Sequence, residues 1–278
     1  MTYDEIECFK VTVNDHIATV TIDYPPINLM DLRMIKALYA LAKLLSVDEA
    51  LRVIIFRSAD PDFFIAHADL NLLLHTQDNP LDPERLNLIN KTFEMFRTMP
   101  KVSIAQIEGQ AYGGGSEFAL ALDMRFAAIG KTRLGQPEVA LGIIPGGGGC
   151  TRLPELVGRG RALEILLGCE TYSAEKAERY GYINQALPAD SISETVDALA
   201  RRIASFPSEA IAAVKRSINI KPEWTIEKRL IEEQKHYTAA ASSNEARQRI
   251  LLALAAGLQQ RDIELVNFDA ILLQKSGE

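Results

Sequence analysis

Cysteine, positive charge and long apolar runs are all in short supply in this 278-residue chain. The 3 cysteines, Cys8, Cys150 and Cys169, are widely spaced and form no CxxC pair, which excludes a zinc ribbon and a disulfide framework. The expected setting is reducing and cytoplasmic. Lys and Arg number 30 against 37 Asp and Glu, for a net charge of −7. That balance argues against general affinity for nucleic acid or an anionic membrane, and neither is expected as a partner. The longest apolar run, ILLALAAGL at residues 250–258, is far too short to span a bilayer and reads as a buried helix. The opening MTYDEIECFK is acidic and lacks the apolar core of a secretory leader. Phosphate-loop signatures fail as well. GKT at residues 130–132 would need a glycine at position 125, which is Arg125, and no GxGxxG follows a strand.

What is present is a globular composition, 47% hydrophobic and 24% charged, in a chain long enough to bury a large core without staples. FKVTVNDHIATVTIDYPP alternates apolar and polar residues and reads as a hairpin turning at Asn14 and Asp15. MIKALYALAKLLSVD has helical spacing, RVIIFRSA is a buried strand, and PERLNLINKTFEMFRTM is a helix stopped by Pro100. VSIAQIEG and MRFAAIG read as strands on either side of a GGSEFALALD helix. Strands alternating with helices indicate an α/β protein. From about Thr171 the pattern turns helical. SAEKAERYG carries a Ser cap and a closing glycine, and four more helical stretches follow. An α/β core over residues 1–200 and a helical C-terminal region over 201–278 are expected, the latter packing on its own core or on a neighbouring subunit.

The chemistry concentrates in GQAYGGGSEFALALD, residues 109–123. A helix starting at Gly114 or Gly115 presents unpaired N–H groups and about half a positive charge, and glycine lets a ligand approach them. This suits an oxygen that becomes negative during reaction. Glu117 sits in the first turn, where helix-end N–H groups favour its charge and burial opposes it. A second acid, Glu138, lies in GQPEVALGIIPGGGG. Taken singly, each acid is better explained as a helix-capping residue.

Five blocks, PPINLMD (25–31), FIAHADL (64–70), GQAYGGGSEFALALDMRFAA (109–128), GQPEVALGIIPGGGGCTRL (135–153) and SAEKAERYGYINQAL (173–187), resemble the crotonase, or enoyl-CoA hydratase/isomerase, superfamily, in the family's order and approximate spacing. The resemblance covers roughly residues 5–220. It implies a crotonase-like spiral of ββα turns with a helical C-terminal tail that helps form trimers, often paired into hexamers. It implies an acyl-CoA thioester substrate, with no cofactor beyond the coenzyme A of that substrate and no metal. The family's oxyanion hole maps onto the backbone N–H groups of Ala68 and Gly114. Its coenzyme A path maps onto Ala66, Ala68, Asp69, Leu70 and Asn71, with Gly114 at the thioester; Tyr112, bulkier than the family's usual residue, either walls the acyl pocket or simply packs. Both hydratase glutamates are present as Glu117 and Glu138. By that carry-over, Glu117 acts on the water adding at C3 and Glu138 delivers a proton at C2. Hydration of a 2-enoyl-CoA is the leading expectation. Double-bond isomerisation or other thioester chemistry is the alternative, and a catalytically inert acyl-CoA- or RNA-binding member stands in a different class.

Some positions depart from that pattern. His67 stands where the family usually has glycine, and its side chain is expected to point away from the site, since only the loop's backbone is needed. A metal role for Asp69 with His75 lacks a third ligand. Cys150 at a probable helix start, where a thiol pKa can fall, is expected to be structural. Ser116 has no paired histidine to make it a nucleophile. Lys215, Arg216 and Lys235 are candidates for the coenzyme A phosphates, but solvated helix-face charges are the leading reading of each.

Overall fold

The computed structural model describes residues 2–72, 74, 82, 84–220 and 223–273. Strands β1 (Phe9–Asn14) and β2 (Ile17–Ile22) form the expected antiparallel hairpin, Asn14 opposite Ile17. The turn falls one residue later than the sequence suggested. Asp15 and His16 both take left-handed φ, +46° and +66°, which the right-handed twist of a two-residue hairpin requires.

A first helix, α1 (Leu32–Val47), is capped by Asp31 accepting from the Met34 N–H at 2.8 Å. Three similar turns follow. β3 (Val53–Ser58) and β4 (Phe63–Ile65) lead to α2 (Leu88–Thr98). β5 (Val102–Ile107) and β6 (Gln110–Tyr112) lead to α3 (Gly114–Ala121). β7 (Met124–Ala128) and β8 (Arg133–Gly135) lead to a 3-10 turn (Glu138–Leu141) and α4 (Gly149–Val157). The first strand of each turn joins a six-stranded sheet ordered β1-β2-β3-β5-β7-β10, parallel apart from the hairpin. The second joins a four-stranded sheet ordered β4-β6-β8-β9. This is the ββα spiral. Helices α5 (Arg159–Gly168) and α6 (Ala174–Tyr180) flank β9 (Tyr172–Ser173), and β10 (Gln185–Leu187) precedes α7 (Ile192–Ala204).

The large sheet is covered on both faces. Ile54, Phe56, Ala105 and Ile107 pack with Met34, Leu38 and Leu41 of α1 and Phe93 and Phe96 of α2. Val53, Ile55, Ile104 and Phe126 pack on the other side with Ile192, Val196 and Ala200 of α7, which runs across residue 200. Strands buried on both faces read as continuous apolar runs, which is why VIIF carries no alternation.

α3 is the helix that matters most, and every residue of it is buried. Phe118 anchors it among Phe56, Phe64, Phe93 and Phe96, with ring centroids 5.0 to 6.4 Å apart. At its start, a side chain on Gly115 would overlap the Ile65 carbonyl of β4. At its end, the buried Arg125 donates to the carbonyls of Ala119 (3.2 Å) and Leu122 (2.7 Å), a cation on the negative end of a helix.

Beyond α7, α8 (Ser208–Ile218) is tied down by Lys215, whose ammonium donates to the carbonyls of Phe96 and Lys101 and to Asp123 Oδ2, at 2.7 to 3.0 Å. α9 (Ile226–Ala241) and α10 (Asn244–Ala255) bury no residue, and α11 (Arg261–Leu272) buries Ile271. Among the described residues no helix is long and apolar enough to cross a membrane.

Candidate active site

Gly113 has a φ of +49°, and Gly114 opens α3 directly after it. The space is tight on both sides. A side chain on Gly113 would meet Glu138 Oε1 at 2.8 Å, and one on Gly114 would meet the Ala68 nitrogen at 3.4 Å. Ala68 lies in the loop after β4, where it bridges Met30 in parallel fashion. Met30 N–H donates to the His67 carbonyl and Asp69 N–H to the Met30 carbonyl, both at 3.0 Å. The bridge uses the groups on either side of Ala68 and leaves its own N–H turned away from Met30. Neither the Ala68 nor the Gly114 N–H has an acceptor among the described residues.

Both amides edge a cavity of about 420 Å3 that Glu117, Glu138, Asp69, Leu70 and His67 also line. Leu32, Ile35, Leu72, Leu88 and Ile89 supply an apolar wall, as expected of a small-molecule site with few polar groups. Ala66, Asn71 and Tyr112 do not line it. Tyr112 packs its ring near Gly135 and holds its hydroxyl 3.3 Å from Thr171 Oγ1.

The two acids are nearly sealed from water, with exposures of 4% and 8%. They are held differently. Glu117 Oε1 accepts two backbone N–H groups, from Gly147 at 2.7 Å and Gly149 at 2.8 Å. The loop that aims them is clamped from behind, by Asn90 Nδ2 on the Gly146 carbonyl and Arg152 Nη1 on the Gly147 carbonyl, each at 2.8 Å. Burial pushes the Glu117 carboxyl above its ordinary range, while the Gly149 and Gly147 amides and the Arg152 guanidinium pull it down. Glu138 has no such pair of amides. Burial pushes it up to about 7, opposed by its own backbone N–H and reinforced by the charge of Glu117. Both carboxyls are thus raised by burial, Glu117 against two amides that favour its charge and Glu138 to about 7 without them.

Several sequence expectations come out differently. His67 is among the residues that line the cavity, and its Nδ1 lies 2.9 Å from the Ala68 carbonyl. Cys150, expected to be structural, has its thiol pushed up by partial burial and by the nearby charges of Glu117 and Glu138. Lys215 is buried against Asp123 and is not available to a phosphate, whereas Arg216 is exposed and Lys235 is paired with Glu232. Ser116 Oγ lies 2.5 Å from Tyr182 Oη, with no histidine bonded to it. His75 lies outside the described residues. Sequence reasoning missed Gly147 and Gly149 as partners of Glu117, and Gln136 and Tyr182 as neighbours of the site. The glycine run at 146–149 was the one available signal.

Known proteins show the same pattern along most of the chain. Residues 12–258 match the family model described as Enoyl-CoA hydratase/isomerase. The short-chain-enoyl-CoA hydratase of Clostridium acetobutylicum is 30% identical over 251 residues, 89% of this chain and 93% of that one. A crystal structure of enoyl-CoA hydratase from Bacillus anthracis is 28% identical with a TM-score of 0.80, covering 88% of this chain and 95% of that one. The structure of Pseudomonas aeruginosa DspI is 30% identical with a TM-score of 0.83, covering 91% and 96%. Folded as the family's ββα spiral and matched by its sequence model over most of the length, this chain belongs to the enoyl-CoA hydratase/isomerase family of the crotonase superfamily.

Proposed function

We propose that this protein adds water to a 2-enoyl-CoA thioester to give a 3-hydroxyacyl-CoA. The observation that carries the reading is the pair of buried acids beside two unpaired backbone amides in one cavity. The thioester carbonyl accepts from the Ala68 and Gly114 N–H groups, which become better donors to it as negative charge builds on the oxygen. Glu117 keeps Oε1 on the Gly147 and Gly149 amides, and Oε2 takes a proton from water as the water oxygen bonds to C3. Electron density moves to the thioester oxygen as an enolate, and Glu138 gives its proton to C2 as that density returns. Glu117 then holds a proton and Glu138 has lost one, so solvent exchange resets the pair. A proton donor titrating at about 7 suits this step. The coenzyme A chain runs along Asp69 and Leu70 at the cavity mouth.

Loss of the conjugated thioester's ultraviolet absorbance with crotonyl-CoA and longer homologues tests the reaction. Glu117→Gln and Glu138→Gln should each abolish it. An enzyme that keeps activity with Glu117→Gln and moves a double bond without adding water is an isomerase, and the hydration reading then fails. The assembly we propose is a homotrimer or a dimer of trimers, supported by apolar side chains left exposed along α9 to α11, including Leu265 and Val266 at 70% and 80%. Native mass measurement checks it.

A further inference from the structure

Behind Glu138 lies a row of buried polar side chains that the reaction above does not use. We propose that Ser116 and Tyr182 are positioning residues which act through the Gln136 amide to favour the ionised form of Glu138. The four residues come from four separate places: α3, the turn after α6, the segment after β8, and the 3-10 turn. Exposures of 0%, 1% and 1% for Ser116, Tyr182 and Gln136 shut water out of the row, so its polar hydrogens must find partners within it.

Counting those hydrogens separates two arrangements. An amide's oxygen and nitrogen are assigned from the partners they meet. With its nitrogen toward the acid, Gln136 donates to Glu138 Oε1 and Oε2 at 3.2 and 3.1 Å, and its oxygen accepts from Ser116 Oγ at 3.3 Å. Tyr182 O–H can then donate to Ser116 Oγ at 2.5 Å, and every hydroxyl hydrogen in the row is used. With the amide reversed, its nitrogen donates to Ser116 Oγ at 3.3 Å and reaches Tyr182 Oη at 3.5 Å. Its oxygen now faces both oxygens of Glu138, which is tolerable only when Glu138 carries a proton to donate. In that arrangement one hydroxyl hydrogen of the Ser116–Tyr182 pair has no acceptor among the described residues. A buried donor left without a partner loses its hydrogen bonds to water and gains none in return. The hydroxyl pair therefore biases the amide toward the orientation that serves a carboxylate.

The backbone N–H of Glu138 also favours its charge. The titratable neighbours on α3, α4 and the turn after α6 are all acids: Glu117, whose charge raises Glu138, and Cys150 and Tyr182, which the charge of Glu138 raises. His67 and Asp69 line the same cavity. The row is also rigid. Arg125 Nε donates to the Tyr182 carbonyl at 3.1 Å, and the Tyr182 N–H is bonded to the Ala177 carbonyl at 2.9 Å.

The kinetic consequence rests on Glu138 being the proton donor of the proposed hydration, but the titration itself does not. The test is carbon-13 NMR of protein labelled at the glutamate carboxyls, with the Glu138 signal identified by its loss in Glu138→Gln. In Ser116→Ala the Glu138 midpoint should rise by about one pH unit, and in Tyr182→Phe by less, because the serine hydroxyl still reaches Gln136. Circular dichroism establishes that each variant is folded. An unchanged or lowered midpoint in Ser116→Ala overturns the proposal; if that variant does not fold, an unchanged midpoint in Tyr182→Phe does so. If the enzyme hydrates enoyl-CoA, the alkaline limb of kcat should move with the NMR midpoint. A midpoint that moves in a protein that hydrates nothing leaves this inference standing and removes the hydration reading.

Discussion

Two cavities in this chain are built from opposite materials. The smaller, about 420 Å3, is edged by two free amides and two buried acids. The larger, about 790 Å3, lies between α8 and the tail helices α10 and α11, walled by side chains such as Ile211, Val214, Leu252 and Leu272. Its prominent charges, Lys215 and Asp123, are already paired with each other at 2.7 Å. The contrast teaches that size does not locate chemistry. The small cavity holds groups whose hydrogen bonding is unfinished, while the large one holds apolar surface and a satisfied ion pair. Changes at the first should move rate and pH dependence, and changes at the second should move stability and assembly.

The largest expected effect breaks the contrast at the small cavity. Glu117→Gln and Glu138→Gln should each lower kcat by about 10^2–10^4-fold, the range for a positioned acid or base, in assays of enoyl-CoA hydration. Next comes the ion pair of the large cavity. Lys215→Met leaves Asp123 without its partner and should destabilise the fold by about 3–5 kcal/mol in urea denaturation, without moving the pH limb of the rate. An equal fall in stability from Glu138→Gln and Lys215→Met would erase the distinction.

A third prediction uses the raised Glu138. Its folded value of about 7 lies above the 4.5 of an ordinary glutamate. The folded state thus holds the proton between those values while the unfolded chain has released it. Stability should fall as pH rises from about 4.5 to 7, by on the order of 3 kcal/mol from this group, and then level off. Glu138→Gln should remove most of that slope, giving a higher Tm than the parent at pH 8. Hydration that needs a protonated Glu138 should weaken as pH rises through about 7. The smallest effect belongs to the tail. Val266→Glu on α11 should change monomer stability by less than about 0.5 kcal/mol but shift native mass toward smaller species.

Much of this was legible from local pattern. The hairpin, α1, α2, the buried strand β3 and the capped α6 all follow from periodicity and end signals, because each is stabilised by neighbours in sequence. The second sheet was not visible that way. β4, β6 and β8 have three residues apiece, too few for a period of two to register. Only the family resemblance implied the doubled strands. Glu117 and the glycines before it could be singled out because they share one helix start.

By itself, then, the sequence determined which backbone could carry an oxyanion site and which acids could serve it, since glycine conformation and helix ends are local properties. Tertiary structure decided what those groups meet. It brought the Gly147 and Gly149 amides onto Glu117 from 30 and 32 residues away, buried Lys215 against Asp123, and set Tyr182, Ser116 and Gln136 behind Glu138. Those partners lie far apart along the chain, and a carboxyl's proton affinity depends on burial and on neighbours in space, which no local stretch of residues encodes.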